Sequence, residues 1–457
     1  MRLRVVGGDA AGMTAASSVR RLRDDADIVV VERGPYTSYS MCGIPYYVGG
    51  LVEEADDLVV RSPEAFREQG ITVHTRTEAT AIDAAAREVT VRDLTTGEQR
   101  REGYDGLLYA TGAHPVVPPL PGLREHGHVV HTLDEGERLR RLLDAQPGVA
   151  SVAVIGAGYI GLEIAEALIE RGLGVHLIDR SPQVMRTLDP DMAAHLESSI
   201  ADLGVQVHLG EDLRELRADG GRCREVVTDA GRYEVDLVVL AMGGKPNVAL
   251  AADAGCALGE SGALRVDPRM RTTVPGIWAA GDCVESRDLV AGRAVNVQLG
   301  THANKQGKVA ALDIAAHPGD GEATFPGVVG TAVTRVCHWD VARVGLTERE
   351  AADAGIDHAA VTFTGSSRAG YMPDAGTVHV KMLAEAGSGR VLGAQLVGTG
   401  NVAKRIDVAA VWCQLRVSVR DAQFMDLSYA PPFGGVWDLL QVAARKLVAE
   451  LGLSPRL

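Results

Sequence analysis

Closely spaced cysteines are missing from this 457-residue sequence, although it contains six cysteines. They lie far apart along the chain, at Cys42, Cys223, Cys256, Cys283, Cys337 and Cys413. No two of them form a CxxC or a similarly short pair, which excludes a zinc-finger pattern and a disulfide framework, and we predict no metal site. Any thiol chemistry therefore uses one cysteine at a time.

Basic clusters and long apolar runs are also missing. The formal net charge is −14, and without a block of lysine and arginine this balance argues against nucleic acid or an anionic membrane as the main partner. No apolar run approaches the ~20 residues of a membrane span, and the first residues lead directly into a predicted strand. We therefore expect a soluble, cytoplasmic protein of two to four domains.

Residues 38–47, SYSMCGIPYY, contain the cysteine with the most informative neighbours. Cys42 is followed by Gly43, Ile44 and Pro45, a pattern typical of a loop that turns into a helix with proline in its first turn. Backbone N–H groups and the positive end of the helix dipole then face the sulfur. We therefore expect the pKa of Cys42 to be lowered, which favours the thiolate. The alternative is a buried, inert cysteine.

The first residues form a pattern typical of a dinucleotide-binding β-α-β unit. A strand at residues 3–6 precedes the turn Gly7-Gly8-Asp9-Ala10-Ala11-Gly12 and a helix, and a second strand at 28–31 leads into Glu32. Such a turn brings a pyrophosphate to the helix N-terminus, and an acid ~20 residues further on accepts from a ribose hydroxyl. Asp9 occupies the place of the middle glycine, which weakens the fingerprint. An ordinary glycine-rich turn is the alternative.

A second unit fits the same pattern at every position. A strand at 151–155 precedes the full GxGxxG at 156–161, and a strand at 175–178 leads into Asp179. Two such units predict two bound dinucleotides. Asp179 favours NADH because it pairs with the adenosine ribose and repels a 2′-phosphate, while Arg180 offers that phosphate a partner. We expect NADH first, with NADPH tolerated.

The order of these segments resembles the pyridine nucleotide-disulfide oxidoreductases across essentially the whole chain. The matching segments are residues 7–12, Glu32, 110–112, 156–161 and 273–282. The resemblance implies an α/β fold with two Rossmann-like dinucleotide-binding domains, for FAD and NAD(P)H, and a C-terminal α+β dimerisation domain. The implied boundaries are 1–113 with 243–322 for the FAD domain, 114–242 for the NAD(P)H domain and 323–457 for the dimerisation domain.

The resemblance also implies the cofactor contacts. For FAD they are Gly7, Ala11, Gly12, Glu32, Arg33, Ser38, Thr111, Gly112, Gly281, Asp282 and Thr301. For the nicotinamide nucleotide they are Gly156, Gly158, Tyr159, Ile160, Gly161, Asp179, Arg180 and Gly243.

Cys42 sets the subgroup. Two-cysteine reductases of the family carry CxxxxC and a C-terminal His-Pro, and this chain has neither. Residues 42–47, 369–373 and 429–433 are similar to those of the coenzyme A disulfide reductases. This similarity implies that Cys42 attacks a low-molecular-weight disulfide or persulfide, with coenzyme A disulfide as the first candidate. The mixed disulfide that results is then reduced by NAD(P)H through the flavin.

Tyrosines and arginines complete the implied site. Tyr371 and Tyr429 would protonate or stabilise the leaving thiolate, with Tyr429 supplied by the other subunit of a homodimer. The alternative is that both tyrosines only pack an interface. Arg21 and Arg61 are candidates for the phosphates of coenzyme A, with a solvated basic surface as the alternative.

Two other functions stay open at this point. One is an NADH peroxidase or oxidase that cycles Cys42 through a sulfenic acid. Such enzymes typically have a histidine in the first glycine turn, where this chain has Asp9. The other is a flavoprotein whose oxidised and reduced forms bind partners differently.

Overall fold

A computed structural model describes residues 1–146, 148–315 and 323–454 of the chain. The end of the predicted FAD segment at 316–322 and the last residues, 455–457, lie outside this part. Within it, the helices are all too short or too polar to cross a lipid bilayer.

The first two large sheets are parallel throughout. Their strands are short runs rich in valine, leucine and isoleucine, typical of parallel strands covered on both faces. In spatial order, the first sheet consists of Ile277–Ala279, Gly106–Tyr109, Arg2–Val6, Asp27–Val31 and Ile71–His74. The second consists of Gln206–Leu209, Gly174–Asp179, Ser151–Ile155, Leu237–Leu240 and Gly127–Val129. The predicted β-α-β units are therefore present.

A third large sheet is antiparallel and lies in the C-terminal part. Its order is Ala332–Val336, Trp339–Gly345, Val391–Gly398, Thr377–Glu385 and His358–Ser366. Two three-stranded antiparallel sheets are attached to the parallel ones, with strands Thr77–Asp83, Glu88–Asp93 and Gln99–Gly103, and Leu213–Asp219, Arg222–Thr228 and Arg232–Glu234. Two strand pairs join Ala113–Pro115 to Gly244–Pro246 and Ser286–Arg287 to Ala294–Val295. The predicted domain boundaries stay a prediction.

Helices cover the faces of these sheets. The α-helices of the described residues are Ala10–Leu22, Ile44–Gly49, Pro63–Arg67, Leu123–His126, Leu133–Ala145, Tyr159–Glu170, Pro190–Asp202, Ala249–Asp253, Gly300–Ala315, Glu348–Asp353, Val402–Gln414, Val419–Ala422 and Leu439–Glu450. Two 3₁₀ turns are at Met41–Gly43 and Ala55–Leu58. Three large buried apolar clusters accompany these sheets, and the cluster on the second sheet also includes residues of the helix Ile44–Gly49 and of the C-terminal sheet.

Candidate active site

The two dinucleotide turns have nearly the same backbone. Gly7 and Gly156 both have a left-handed φ, +109° and +113°. A Cβ on Gly7 would lie 2.1 Å from Ala110 O, and one on Gly156 would lie 2.3 Å from Ala241 O. A Cβ on Gly12, at the end of the first turn, would lie 1.9 Å from Gly7 O. These positions therefore admit only glycine.

The two acids that follow the turns are held in the same way. Glu32 accepts the backbone N–H of Gly8 at 2.8 Å, and Asp179 accepts that of Ala157 at 2.7 Å. Each carboxylate also accepts a backbone N–H from the residue two positions after it, at 2.6 Å and 2.7 Å respectively. Both acids thus lie beside their turns, where the ribose of a dinucleotide is within reach.

The segment around Asp282 fits a flavin nucleotide. Gly281 has a φ of +87° and donates its N–H to the buried side chain of Gln306 at 2.8 Å. A Cβ on Gly307 would lie 2.3 Å from Ala11 O, so two helices meet closely beside the first turn. The Asp282 carboxyl receives no hydrogen bond from any described residue, and burial raises its pKa to about 6. An enclosed carboxyl without a partner fits the ribityl hydroxyls of FAD.

Other predicted FAD contacts lie around the same sheet. Thr111 Oγ1 donates to Asn247 O at 2.9 Å, and Asn247 Nδ2 donates to Thr111 O at 2.8 Å, which fixes the strand end. Gly112 follows with a φ of +63°. Ser38 has a left-handed φ of +52° and donates its N–H to Gly8 O at 3.0 Å, so the cysteine loop is tied to the first turn. Two further predicted contacts are solvent-exposed: Arg33 and Thr301.

The predicted nicotinamide-nucleotide contacts lie around the second turn. Gly158 precedes the helix Tyr159–Glu170, and a Cβ there would meet nothing within 4 Å. Tyr159 is half-buried, burial raises its pKa, and its hydroxyl accepts from Thr187 Oγ1 at 3.3 Å. Gly161 is buried in the helix, and Gly243 has a φ of +88°. The side chains of Ile160 and Arg180 are exposed.

Cys42 lies in a 3₁₀ turn that leads directly into the helix Ile44–Gly49, with Pro45 in its first turn. The last carbonyls of this helix accept hydrogen bonds from the domain of the second sheet. Arg140 Nη1, on the helix Leu133–Ala145, donates to Tyr47 O at 2.9 Å. Arg171 Nη1 adds a bond to Val48 O at 3.1 Å. The second domain therefore holds the helix that presents the cysteine.

Cys42 is exposed, whereas the other five free cysteines are buried. The expectation that its pKa is lowered is wrong. Although the side chain reaches solvent, desolvation by the surrounding atoms raises the pKa, and the negative charges of Glu163, Asp282 and Asp9 raise it further. These three acids outweigh the turn's backbone, whose hydrogen bond lowers the pKa, because a like charge nearby disfavours the thiolate.

Glu163 and Asp9 were not among the predicted site residues. Glu163 lies on the helix that follows the second turn, and burial raises its pKa. Asp9 precedes the first helix, and its Oδ1 accepts the backbone N–H of Tyr39 at 3.2 Å. Nothing in the spacing of these acids indicates that they converge on Cys42, because they belong to segments that are distant in sequence.

Tyr371 and Tyr429 lie next to each other in the C-terminal part. Their segments are joined by the bond from Ala369 N to Pro431 O at 3.1 Å. Desolvation is the largest cause that raises the pKa of Tyr371, and the neighbouring Tyr429 raises it further. Their side chains are 75% and 47% exposed. Other large apolar side chains of this region are also exposed: Phe433, Val436 and Trp437. Such exposure marks an interaction surface.

Arg21 and Arg61, the predicted contacts of a substrate phosphate, each have a local partner. Arg21 Nη2 donates to Ser18 Oγ at 3.1 Å. Arg61 Nη1 donates to Gln69 Oε1 at 3.2 Å, and its guanidinium lies over the ring of Phe66. These bonds leave further donors on both guanidinium groups.

Two family models match the chain. Residues 1–307 match the model described as pyridine nucleotide-disulphide oxidoreductase, and residues 331–439 match its dimerisation domain. The chain belongs to the pyridine nucleotide-disulphide oxidoreductase family. It is an oxidoreductase with a dimerisation domain that uses FAD and a nicotinamide cofactor, which confirms the predicted fold class and cofactors.

Relatives cover almost the whole chain. The NAD(P)H coenzyme A polysulfide/persulfide reductase of Pyrococcus horikoshii is 38% identical over 445 residues, 97% of both chains. The NADH oxidase of Methanocaldococcus jannaschii is 35% identical over 454 residues, 99% of both chains. The structure of a NAD-dependent persulfide reductase from A. fulgidus is 39% identical with a TM-score of 0.95, and the match covers 99% of this chain and 84% of that one.

Proposed function

We propose that this protein is an NAD(P)H-dependent flavoprotein reductase of a low-molecular-weight disulfide or persulfide, with coenzyme A disulfide as the first candidate. The observation that carries the proposal is that Cys42 is the exposed cysteine while the other five are buried. Similarity to a coenzyme A polysulfide/persulfide reductase along 97% of the chain supports it.

The substrate step needs one thiolate and one disulfide. The Cys42 sulfur attacks one sulfur of the substrate, so that a Cys42–substrate disulfide forms and the original S–S bond breaks. The released thiolate takes up a proton and leaves. FAD, when bound, supplies the chemistry that passes the two electrons of NAD(P)H to sulfur. With no second cysteine exposed among the described residues, the substrate's own sulfur acts as the partner of Cys42.

Cys42 works here as a thiol that must lose its proton, because its pKa is raised first by burial and then by the charges of Glu163 and Asp282. Burial and these charges disfavour the thiolate, so loss of the thiol proton accompanies attack. The rate of attack therefore rises with pH below the pKa of the thiol.

The Tyr371 and Tyr429 hydroxyls are the donors that we assign to the leaving thiolate. No contact within the described residues joins either tyrosine to Cys42, and both lie among exposed apolar side chains in the dimerisation domain. We propose that Tyr429 reaches the site of the partner subunit, so that the active unit is the homodimer. Arg21 and Arg61 are assigned to the phosphates of coenzyme A.

A second candidate is an NADH oxidase, since the Methanocaldococcus jannaschii relative with that name is 35% identical over 454 residues. In this case Cys42 would cycle through a sulfenic acid.

An anaerobic panel of NADH oxidation separates the two functions. Coenzyme A disulfide, a coenzyme A persulfide, hydrogen peroxide and, in a separate aerobic run, oxygen are each offered as the acceptor. The proposal predicts turnover with a disulfide or persulfide at about 1–10³ s⁻¹ without oxygen. Turnover with peroxide or oxygen alone would replace it with the oxidase. Turnover far below this range with every acceptor would favour a redox-dependent binding protein.

A further inference from the structure

The two dinucleotide turns have similar backbones but differ in the residue that precedes the helix, which is Asp9 in the first turn and Gly158 in the second. Gly158 of the second turn precedes its helix with φ −84° and ψ −168°, and Asp9 of the first turn precedes its helix with φ −114° and ψ −151°. Both backbones are extended, so Asp9 is placed without strain. A Cβ on Gly158 would meet nothing within 4 Å. Asp9 thus has a side chain at the position equivalent to Gly158, where the second turn leaves open space.

That open space has a known purpose in such turns. The glycine at this position lets the backbone approach the pyrophosphate of the dinucleotide. Asp9 does not use its carboxyl to cap its own helix; it accepts the N–H of Tyr39 at 3.2 Å, from the loop that leads to Cys42. The carboxyl thus joins the first turn to the cysteine loop.

The charge around Asp9 is negative. The charges of Glu32 and Asp282 both raise the pKa of Asp9. The two carboxylate oxygens of Glu32 each accept a backbone N–H. The charges of Asp9 and Asp282 also act on the Cys42 thiol. Burial is the largest cause of the raised pKa of Asp9, which is about 7, and the backbone N–H groups of Tyr39 and Ala10 oppose the rise. A pyrophosphate would add further negative charge to this cluster.

We infer that Asp9 is an FAD-binding residue that enters the holoenzyme as the neutral carboxylic acid, so that FAD binding takes up a proton at this side chain. The protonated acid donates a hydrogen bond towards the phosphates, whereas the carboxylate repels them. On binding, one proton moves from solvent to the Asp9 carboxylate, and no covalent bond of FAD changes.

The sign of the pH dependence follows from this linkage. FAD favours the protonated form, so the pKa of Asp9 is higher with FAD than without it. Between the two values the dissociation constant of FAD rises about tenfold for each pH unit. The window opens at about 7, the pKa of Asp9 in the chain without FAD. Asp282, whose pKa is about 6, is already ionised in this window.

The test measures FAD release from the holoenzyme at constant ionic strength. The holoenzyme is diluted at pH values from about 6 to about 9, and the fluorescence of released FAD gives the dissociation constant. The wild type is expected to lose about tenfold in affinity per pH unit above about 7. Asp9→Asn, and Asp9→Gly, which copies the second turn, are expected to bind FAD with no such slope. Asp24→Asn, at an exposed position just beyond the far end of the same helix, is the matched control and retains the slope.

Three results would overturn the inference. One is a wild-type dissociation constant that stays constant over this pH range. The second is the same slope in Asp9→Asn as in the wild type. The third is loss of FAD from both Asp9 variants at every pH while their folded content, measured by circular dichroism, matches the wild type. Reductase activity is not the readout, so the inference and the proposed function fail separately.

Discussion

Thr334 Oγ1 donates a hydrogen bond of 2.5 Å to Glu163 Oε1. This bond joins the helix Tyr159–Glu170 to the C-terminal strand Ala332–Val336. It fixes a half-buried carboxyl whose charge raises the pKa of Cys42. The reactivity of the cysteine thus depends on contacts between separate parts of the chain.

We predict that Glu163→Gln makes Cys42 more reactive. The amide keeps the size of the side chain and removes a negative charge, so the pKa of the thiol falls. Alkylation of Cys42 by iodoacetamide near neutral pH is expected to accelerate roughly threefold to tenfold, because a larger fraction of the thiol is then ionised. The pH profile of the alkylation rate measures it.

Glu166→Gln is the control for this change. Glu166 lies one turn further along the same helix, and its pKa is also raised by burial. It is expected to leave the alkylation rate within about twofold, because it is not among the chief causes of the Cys42 shift. Equal acceleration in both variants would show that the effect is not specific to Glu163.

Arg180 and Arg186 bracket a loop that folds back onto the second turn. Met185, at a left-handed φ of +47°, donates its N–H to Ala157 O at 2.8 Å. Both arginines are exposed, and within the described residues neither has an ion pair. They flank residues 181–185, which follow Asp179 in the chain. The adenosine ribose is expected beside Asp179. Guanidinium groups in this position suit a 2′-phosphate.

We predict that replacing both Arg180 and Arg186 with alanine weakens NADPH and spares NADH. Loss of charge-assisted hydrogen bonds to the 2′-phosphate is expected to lower kcat/KM for NADPH about 10-fold to 100-fold. The value for NADH is expected to change less than about threefold. Arg222→Ala, an exposed arginine on a hairpin of the same domain, is the control. Parallel losses for both cofactors would contradict a 2′-phosphate role.

A heterodimer experiment checks the assignment of Tyr429 to the partner's site. Tyr429→Phe alone is expected to lower kcat roughly 10²-fold because a proton donor is lost. Cys42→Ser alone is expected to be inactive. Mixed heterodimers of the two variants contain one complete site if Tyr429 acts across the interface, and activity is then recovered. Failure to recover activity in isolated heterodimers would place both residues in one subunit.

Much of the cofactor framework was predictable because it is local. The first strand, the glycine turn, the helix and the second strand follow one another within about 30 residues, which is the length of a β-α-β unit. The spacing predicted the β-α-β units, and the structure places Glu32 and Asp179 beside their turns, each accepting two backbone N–H groups. Short-range spacing fixes such a unit whatever the rest of the chain does.

The electrostatics of Cys42 was not predictable, and the expectation for its pKa had the wrong sign. Local sequence shows a turn and a proline, which favour a thiolate. The opposing acids, Asp9, Asp282 and Glu163, come from three separate segments. Only the folded chain brings their charges to one sulfur. The ion pairs of Lys381 were unpredictable for the same reason, because its acidic partners belong to two other segments of the chain.

Lys381 is a buried cation between the second sheet's domain and the C-terminal sheet. Its side chain is 4% exposed and pairs with Asp189, itself 3% exposed, at 3.3 Å and with Asp191 at 2.8 Å. Glu348 is a third partner. We predict that Lys381→Met destabilises the fold by about 3–5 kcal/mol, because Asp189 is left as a buried charge without its partner.

Thermal unfolding of the holoenzyme measures this effect. Lys404→Met is the matched control, since Lys404 is 90% exposed and pairs with Asp407 on the surface at 3.1 Å. Its effect is expected to stay below about 1 kcal/mol. A Lys381 variant that unfolds at the temperature of the control would show that the ion pairs at this junction do not hold the domains.

We propose above all that Cys42 forms a mixed disulfide with the substrate. The direct measurement is mass spectrometry of the Cys42 peptide after the reduced enzyme is exposed to coenzyme A disulfide without oxygen, followed by addition of NADH. We expect a coenzyme A adduct on Cys42 that NADH removes, and neither adduct nor turnover in Cys42→Ser. An unmodified Cys42 together with full disulfide reduction by Cys42→Ser would contradict it.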